Sequence, residues 1–287
     1  MKILQRIPER PVKLGHVNVS RILPFREKRS VGPFVFLDRM GPAILTPERS
    51  LDVLPHPHIG LSTLTYLFEG SILHRDSTGA VMEIKPGEVN WMTAGKGVVH
   101  SERTLGHLSQ SDSPLHGLQF WVGLPLELEQ CEPSFSHTGA AGLPQWAGNG
   151  LHYTLVAGKA CGYESVVPVH SPLFFLDITA ETDGFADFRG KLYGEAALYV
   201  VAGNITLNGD TTGTGELLVA QDPENIAFHV SKGSRVILLG GMPFPEPRYI
   251  EWNFVNSDRE VIAQAKAAWI ARRFPEVPGE TEFVPLP

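Results

Sequence analysis

The commonest pattern along the chain is a short apolar run, often alternating with polar residues and closed at both ends by Gly, Pro, Asn or Asp. Thr63-Leu-Thr-Tyr-Leu-Phe68, Gly117-Leu-Gln-Phe-Trp-Val122 and Leu173-Phe-Phe-Leu-Asp-Ile178 are of this kind. Such spacing predicts strands of a sandwich or barrel. One stretch reads as helix. Ser257 stands three residues before Glu260, as in a capping box. Val261, Ala265, Ala268, Trp269 and Arg272 then recur at helical spacing, and Pro275 stops the run. This helix is expected to pack on the outside of a barrel, with Trp269 in that packing.

The strand units repeat. Tyr66-Leu-Phe-Glu-Gly70 is echoed by Tyr199-Val-Val-Ala-Gly203. Each copy passes a turn, Asp76–Gly79 or Gly209–Gly213, and then a Lys-Gly turn, Gly95–Gly97 or Ser231–Gly233. Two copies of one β unit account for the pattern. Residues 133–150 are loop-like and separate them. The expected domains are therefore 1–135 and 136–287.

Composition agrees. Of 287 residues, 43% are hydrophobic and 19% charged, enough apolar material for a large core. The 29 Gly and 23 Pro favour many tight turns and short strands. No apolar run reaches the roughly 18 residues of a membrane span, and no apolar segment follows the first charges. The expectation is a cytoplasmic protein with no membrane partner. Cys131 and Cys161 are read as reduced thiols. A net charge of −7 argues against nucleic-acid binding. The first thirty residues run against this charge, with eight Lys/Arg and two acids. They read as a solvated basic face, or more sharply as a contact for an acidic partner.

The candidate chemistry lies between residues 56 and 116, which hold six of the eleven histidines. Pro55-His56-Pro57-His58 and Gly95-Lys-Gly-Val-Val-His100-Ser-Glu102 are the informative motifs. Residues two apart on a strand share a face. His56 and His58 thus project together, as do His100 and Glu102. Neighbouring strands would bring both pairs to one interior point. Three imidazoles and a carboxylate suit a borderline divalent metal and leave positions open for substrate. Fe(II), Mn, Co, Ni, Cu and Zn all suit this set. The bland reading is a group of satisfied core histidines. His74, in His-Arg-Asp, reads as a salt-bridged loop residue. His116 is a candidate for orienting a metal ligand. Of Gln119/Trp121 and Leu118/Phe120, one pair faces inward. Gly95-Lys-Gly97 lacks phosphate-loop spacing, and no Gly-x-Ser-x-Gly elbow is present.

These motifs resemble the cupin superfamily and, within it, the pirin family. The resemblance rests on Phe36-Leu-Asp-Arg-Met-Gly-Pro42, His56-Pro-His58, His74-Arg-Asp76, Trp91–Glu102, His116–Trp121, Arg248–Val255 and Val277–Pro287. It implies an all-β bicupin, two stacked jelly-roll barrels with a short C-terminal helix. It also implies one mononuclear iron in the N-terminal barrel, held by His56, His58, His100 and Glu102. Some relatives resemble quercetin 2,3-dioxygenase. The implied activity is therefore oxidative ring cleavage of a flavonol, with Glu102 as candidate base and Phe36, Trp91, Met92 and Val98 as pocket walls. The alternative is an iron-binding, redox-sensing regulator with a protein partner. Many pirins continue His-Pro-His-Arg-Gly-Phe-Glu, where this chain has Ile59 and Ser62 in place of the Arg and Glu, which weighs against the regulator. Carried across the repeat, the four ligand positions fall on Arg189, Lys191, Val236 and Leu238, so no such metal is expected in the second half.

Overall fold

The computed structural model describes residues 1–14, 17–46, 50–105 and 112–287. His107 lies outside the described residues. The chain divides into two compact units. The first, which carries the candidate site, comprises Pro11–Arg21, Phe36–Ala140 and Phe244–Pro287. The second comprises Met1–Arg10, Ile22–Val35 and Ala141–Pro243. The change at Ala140/Ala141 falls in the expected linker region, but the chain ends cross over. Strand Ile3–Pro8 pairs antiparallel with Glu216–Ala220 in the second unit. The C-terminal helix and tail, expected with the second half, belong to the site unit.

The architecture is that of two jelly-roll cupin units, as the sequence predicts. In the site unit a seven-stranded sheet runs Ser134–Thr138, Val89–Thr93, Leu61–Glu69, Ser113–Gly123, Phe34–Leu45, Val17–Leu23, Arg10–Leu14. Against it lies a four-stranded sheet, Asp52–His58, Val98–Arg103, Ile72–Asp76, Val81–Ile84. Their shared core includes Met40, Leu67 and Leu115 from one sheet and Ile72 and Ile84 from the other. The second unit repeats the plan. Its smaller sheet is Gly184–Asp187, Ala227–Val230, Ile205–Leu207, Asp210–Thr212, and its apolar core runs from Met1 to Leu238.

The helix spans Arg259–Ile270, and its N-cap is Asp258, whose side chain accepts from the Glu260 amide. Ser257 is not the cap: its amide and hydroxyl both donate to Glu129. The buried face is Ile262, Ala265 and Trp269. Beyond the helix the tail returns to the barrel. The Val284 amide donates to the Pro55 carbonyl at 2.9 Å, and Trp269 Nε1 donates to the Val284 carbonyl at 3.0 Å. The tail thus covers part of the open edge of strand Asp52–His58. An edge strand is where Pro55 and Pro57, which lack amide donors, are tolerated.

Much of the basic N-terminal run is used inside the units. Arg6 pairs with Glu216, Arg21 with Asp38 and Lys28 with Glu195, and Arg10 donates to the Ile22 and Pro24 carbonyls. Cys131 and Cys161 are free thiols. Among the described residues no helix is long and apolar enough to cross a membrane.

Candidate metal centre

His56 and His58 lie on the edge strand, and His100 and Glu102 on its antiparallel neighbour. His100 stands opposite His56, and Val98 opposite His58. The register slips between His100 and Glu102, so that Glu102 stands opposite Val53. An irregularity of this kind re-aims a side chain. Here Glu102 reaches the opposite sheet, where its Oε1 lies 3.2 Å from the Thr65 hydroxyl. The same hydroxyl lies 2.9 Å from Gln119 Oε1 and, having one proton, serves one acceptor at a time.

The three imidazoles converge. Ring centroids are 4.9 Å apart for His56–His58, 4.4 Å for His56–His100 and 5.0 Å for His58–His100. His58 Nε2 and His100 Nε2 are 3.1 Å apart. Two tautomers follow from the partners. His56 Nδ1 lies 2.8 Å from the Leu54 carbonyl, and His58 Nδ1 lies 3.0 Å from the Asn253 carbonyl. A carbonyl only accepts, so each Nδ1 carries the proton and each Nε2 keeps its lone pair.

Burial sets the charge. It pulls His56 down to about 4 despite the Leu54 hydrogen bond. Burial, reinforced by the neighbouring histidines, holds His58 and His100 well below the usual range. Burial also pushes the Glu102 carboxyl up, against the opposing pull of His74 and Thr65. The result is three neutral imidazoles beside a buried carboxyl whose charge burial disfavours and His74 and Thr65 only partly offset. Buried charge demands pairing. A divalent cation fits this donor set by chemistry: neutral nitrogen donors plus one acidic oxygen. Two overlapping groups have suitable spacing, His56–His58–His100 and His74–His100–Glu102.

His74 is not a loop residue. It lies on strand Ile72–Asp76, is buried, stacks on Phe135 with centroids 4.5 Å apart, and donates from Nε2 to Asp76 at 3.0 Å. Burial alone would push the Asp76 carboxyl up. Hydrogen bonds from His74 and Thr78 outweigh that and hold it below its ordinary value. His116 packs its ring against Phe68, with Arg39 Nε 3.3 Å from its Nε2, and does not line the cavity.

A cavity of about 150 Å³ opens beside the histidines, lined by Phe36, Gln119, Trp121, Trp252 and Val284 among others. Gln119 and Trp121 are therefore the inward pair. Phe36 is a wall as expected, but Trp91, Met92 and Val98 are not. Met92 and Val98 pack into a separate cluster with Ala94 and Phe135, and Trp91 donates to Thr93. Phe36 stacks on Trp121 with centroids 4.0 Å apart, and the Arg21 guanidinium lies 4.6 Å from the Phe36 centroid while paired with Asp38. Sequence reasoning missed Thr65, Arg21, Asp38, Trp252 and Asn253. Asn253 sits in the hairpin turn between Tyr249–Glu251 and Phe254–Asn256, and the Arg248–Val255 motif was its only signal.

The second unit differs at the equivalent positions. The register of its smaller sheet sets strand Ala227–Val230 in the place of Val98–Arg103. The residues that then match His56, His100 and Glu102 are Phe188, Ile226 and Phe228, all in the apolar core. The positions expected from the repeat, Val236 and Leu238, lie on a strand of the larger sheet. The reason is the landmark: the Lys-Gly turn leads into the smaller sheet in one unit and into the larger sheet in the other.

Comparison with known proteins agrees with the fold of both units. The family models described as Pirin and Pirin C-terminal cupin domain match residues 16–122 and 175–275. A pirin-like protein of Caulobacter vibrioides is 49% identical over 96% of both chains. Human pirin is 27% identical over 86% of this chain and 84% of its own. A crystal structure of quercetin 2,3-dioxygenase from Acinetobacter baumannii is 34% identical, covers 99% of this chain and 95% of its own, and superposes with a TM-score of 0.91.

Proposed function

The chain belongs to the pirin family, and from that premise we propose that it is a metal-dependent dioxygenase of the quercetin 2,3-dioxygenase type, acting on a small hydroxylated aromatic such as a flavonol. The observation that carries the reading is the convergence of the His56, His58 and His100 rings, with Glu102 within reach of His100, beside a cavity walled by Phe36, Trp121 and Trp252. His56, His58, His100 and Glu102 would hold one divalent metal, with Fe(II) the assignment preferred. When bound, the metal supplies Lewis acidity and electron exchange between substrate and dioxygen.

The chain's own residues do the rest. Phe36, Trp121 and Trp252 present ring faces and edges to a flat aromatic substrate. The carboxamide of Gln119, buried at the cavity wall, offers a hydrogen bond to a substrate hydroxyl. Glu102 is the base for that hydroxyl. Burial raises its pKa above the ordinary carboxylate value, which favours taking a proton. Thr65 donates to its Oε1 when it is not serving Gln119.

The residues that replace the Arg and Glu of many pirins are buried. Ile59 packs with Val99, Phe254 and Ile262, and Ser62 bonds Thr93. They therefore offer a partner no surface charge, and the enzymatic reading is favoured over the regulator.

The test is oxygen uptake by protein reconstituted anaerobically with Fe(II), with and without quercetin. Flavonol-dependent uptake that disappears in His56→Ala and Glu102→Ala is the expected result. No uptake by protein holding one iron per chain would remove the flavonol reading, and iron-dependent capture of a protein partner without turnover would favour the regulator.

A further inference from the structure

Behind His100, on the side away from the cavity, stands a second pair of buried polar side chains that the proposed chemistry does not use. His74 and Asp76 share one face of strand Ile72–Asp76, which pairs with the His100 strand in a register that sets Asp76 opposite His100 and His74 opposite Glu102. Asp76 is fully buried, and its Oδ1 accepts the Thr78 amide at 2.8 Å, the Thr78 hydroxyl at 2.6 Å and the Ala80 amide at 3.2 Å. Three donors on one oxygen fix the carboxylate and leave Oδ2 for His74 Nε2 at 3.0 Å. The other nitrogen of His74 faces His100, with Nδ1 to Nδ1 at 3.5 Å, somewhat longer than an ordinary hydrogen bond.

We propose that Asp76 and His74 form a relay that fixes the tautomer of His100, holding its proton on Nδ1 so that its Nε2 lone pair joins those of His56 and His58. Nε2 of His100 lies 3.1 Å from Nε2 of His58, and both must keep their lone pairs to hold one metal, which puts the His100 proton on Nδ1. The side chain facing that proton is His74 through Nδ1, while Asp76, fixed by three donors on Oδ1, accepts from His74 Nε2 through Oδ2. His56 and His58 are fixed in the same sense by the Leu54 and Asn253 carbonyls. His100 has no carbonyl partner among its described contacts, and the relay takes that place. Partners of this kind commonly govern metal affinity by about 10- to 100-fold. His74 and Asp76 are positioning residues and touch neither metal nor substrate. The inference rests on the metal-centre reading above.

The test uses the full chain, Zn(II) as a diamagnetic probe, and two readouts. Long-range proton–nitrogen correlation of 15N-histidine-labelled protein should place the proton on Nδ1 in His56, His58 and His100, and on Nε2 in His74. Chelator competition should then show Zn(II) bound about 10- to 100-fold more weakly by His74→Phe, a change that keeps a ring against Phe135 and removes the acceptor. Asp76→Asn should weaken Zn(II) in the same direction and serves if the Phe variant fails to fold. A His100 proton on Nε2 would overturn the relay. So would unchanged affinity in both variants, or metal-shifted His74 Nδ1, which would make His74 a direct ligand. Wild-type protein that takes up no Zn(II) would instead overturn the metal centre itself.

Discussion

At the scale of residues, the site is a set of neutral imidazoles made so by burial, and this has a consequence for acid stability. The pKa of His56 falls from 6.5 to about 4 on folding, so the folded chain binds fewer protons there than the unfolded chain. The contribution is fully present above pH 6.5 and is lost as pH falls from 6.5 towards 4, on the order of 3 kcal/mol for a shift of this size. Denaturant melts of metal-free protein should show midpoints falling across that window, with a shallower slope in His56→Ala. A flat profile would contradict the burial argument. Glu102→Gln keeps the shape and the Thr65 contact but removes the acidic oxygen. It should weaken divalent metal binding by at least about tenfold and abolish oxygen uptake, both read on folded protein. The ligand residues were legible because a period of two makes His56/His58 and His100/Glu102 face one way. A charged partner for His74 was legible as well, and Asp76 is that partner; the burial of their strand was not, because His-Arg-Asp before a turn looks the same whether its strand is buried or solvated.

At the scale of elements, the hairpin Tyr249–Asn256 and the start of the helix are tied to the barrel through one buried ion pair. Glu129 and Arg248 are both nearly fully buried and lie 2.9 Å apart. Glu129 also accepts from Ser257, and Arg248 donates to the Leu124 carbonyl. Removing one partner strands the other charge, so Glu129→Ala should lose about 3–5 kcal/mol in chemical denaturation. The same change loosens the turn whose Asn253 carbonyl orients His58, and metal affinity should fall with it. Gly60 makes the turn that follows His58. Its φ is +66°, and an added Cβ would stand 1.9 Å from the Val255 carbonyl oxygen. Gly60→Ala should therefore be poorly folded, as its thermal melt would show. Elements were read well where alternation and turns coincide, and less well where tertiary context overrides them. Strand Leu61–Glu69 is buried on both faces from Leu61 to Phe68, and it is the polar Thr65 that points to the site. Ser257 looks like a cap but is taken by Glu129, leaving Asp258 to cap.

At the scale of the whole molecule, the repeat builds two cupin units of similar plan and different interior. One is polar beside the cavity. The other is filled by Phe188, Ile226 and Phe228. Two such units were readable from the echo of Tyr66–Gly70 in Tyr199–Gly203. The exchange of the chain ends was not, because pairing of Ile3–Pro8 with Glu216–Ala220 joins segments that carry no local mark of each other. A ligand that binds only the folded chain stabilises it by mass action, about 4 kcal/mol at a thousandfold excess over Kd. Zn(II) should accordingly raise the Tm of the wild type, and EDTA should reverse this. Neither should move the Tm of His100→Ala.

The central claim is that three Nε2 atoms and one carboxylate oxygen meet at a single metal. Anomalous diffraction from crystals grown with Fe(II), recorded above and below the iron edge, addresses it directly. The account predicts one peak per chain, within bonding distance of Nε2 of His56, His58 and His100 and of the Glu102 carboxylate. A peak held by His74 Nδ1 with His100 and Glu102, a second peak in the other unit, or no peak in protein that consumes oxygen with a flavonol would contradict it.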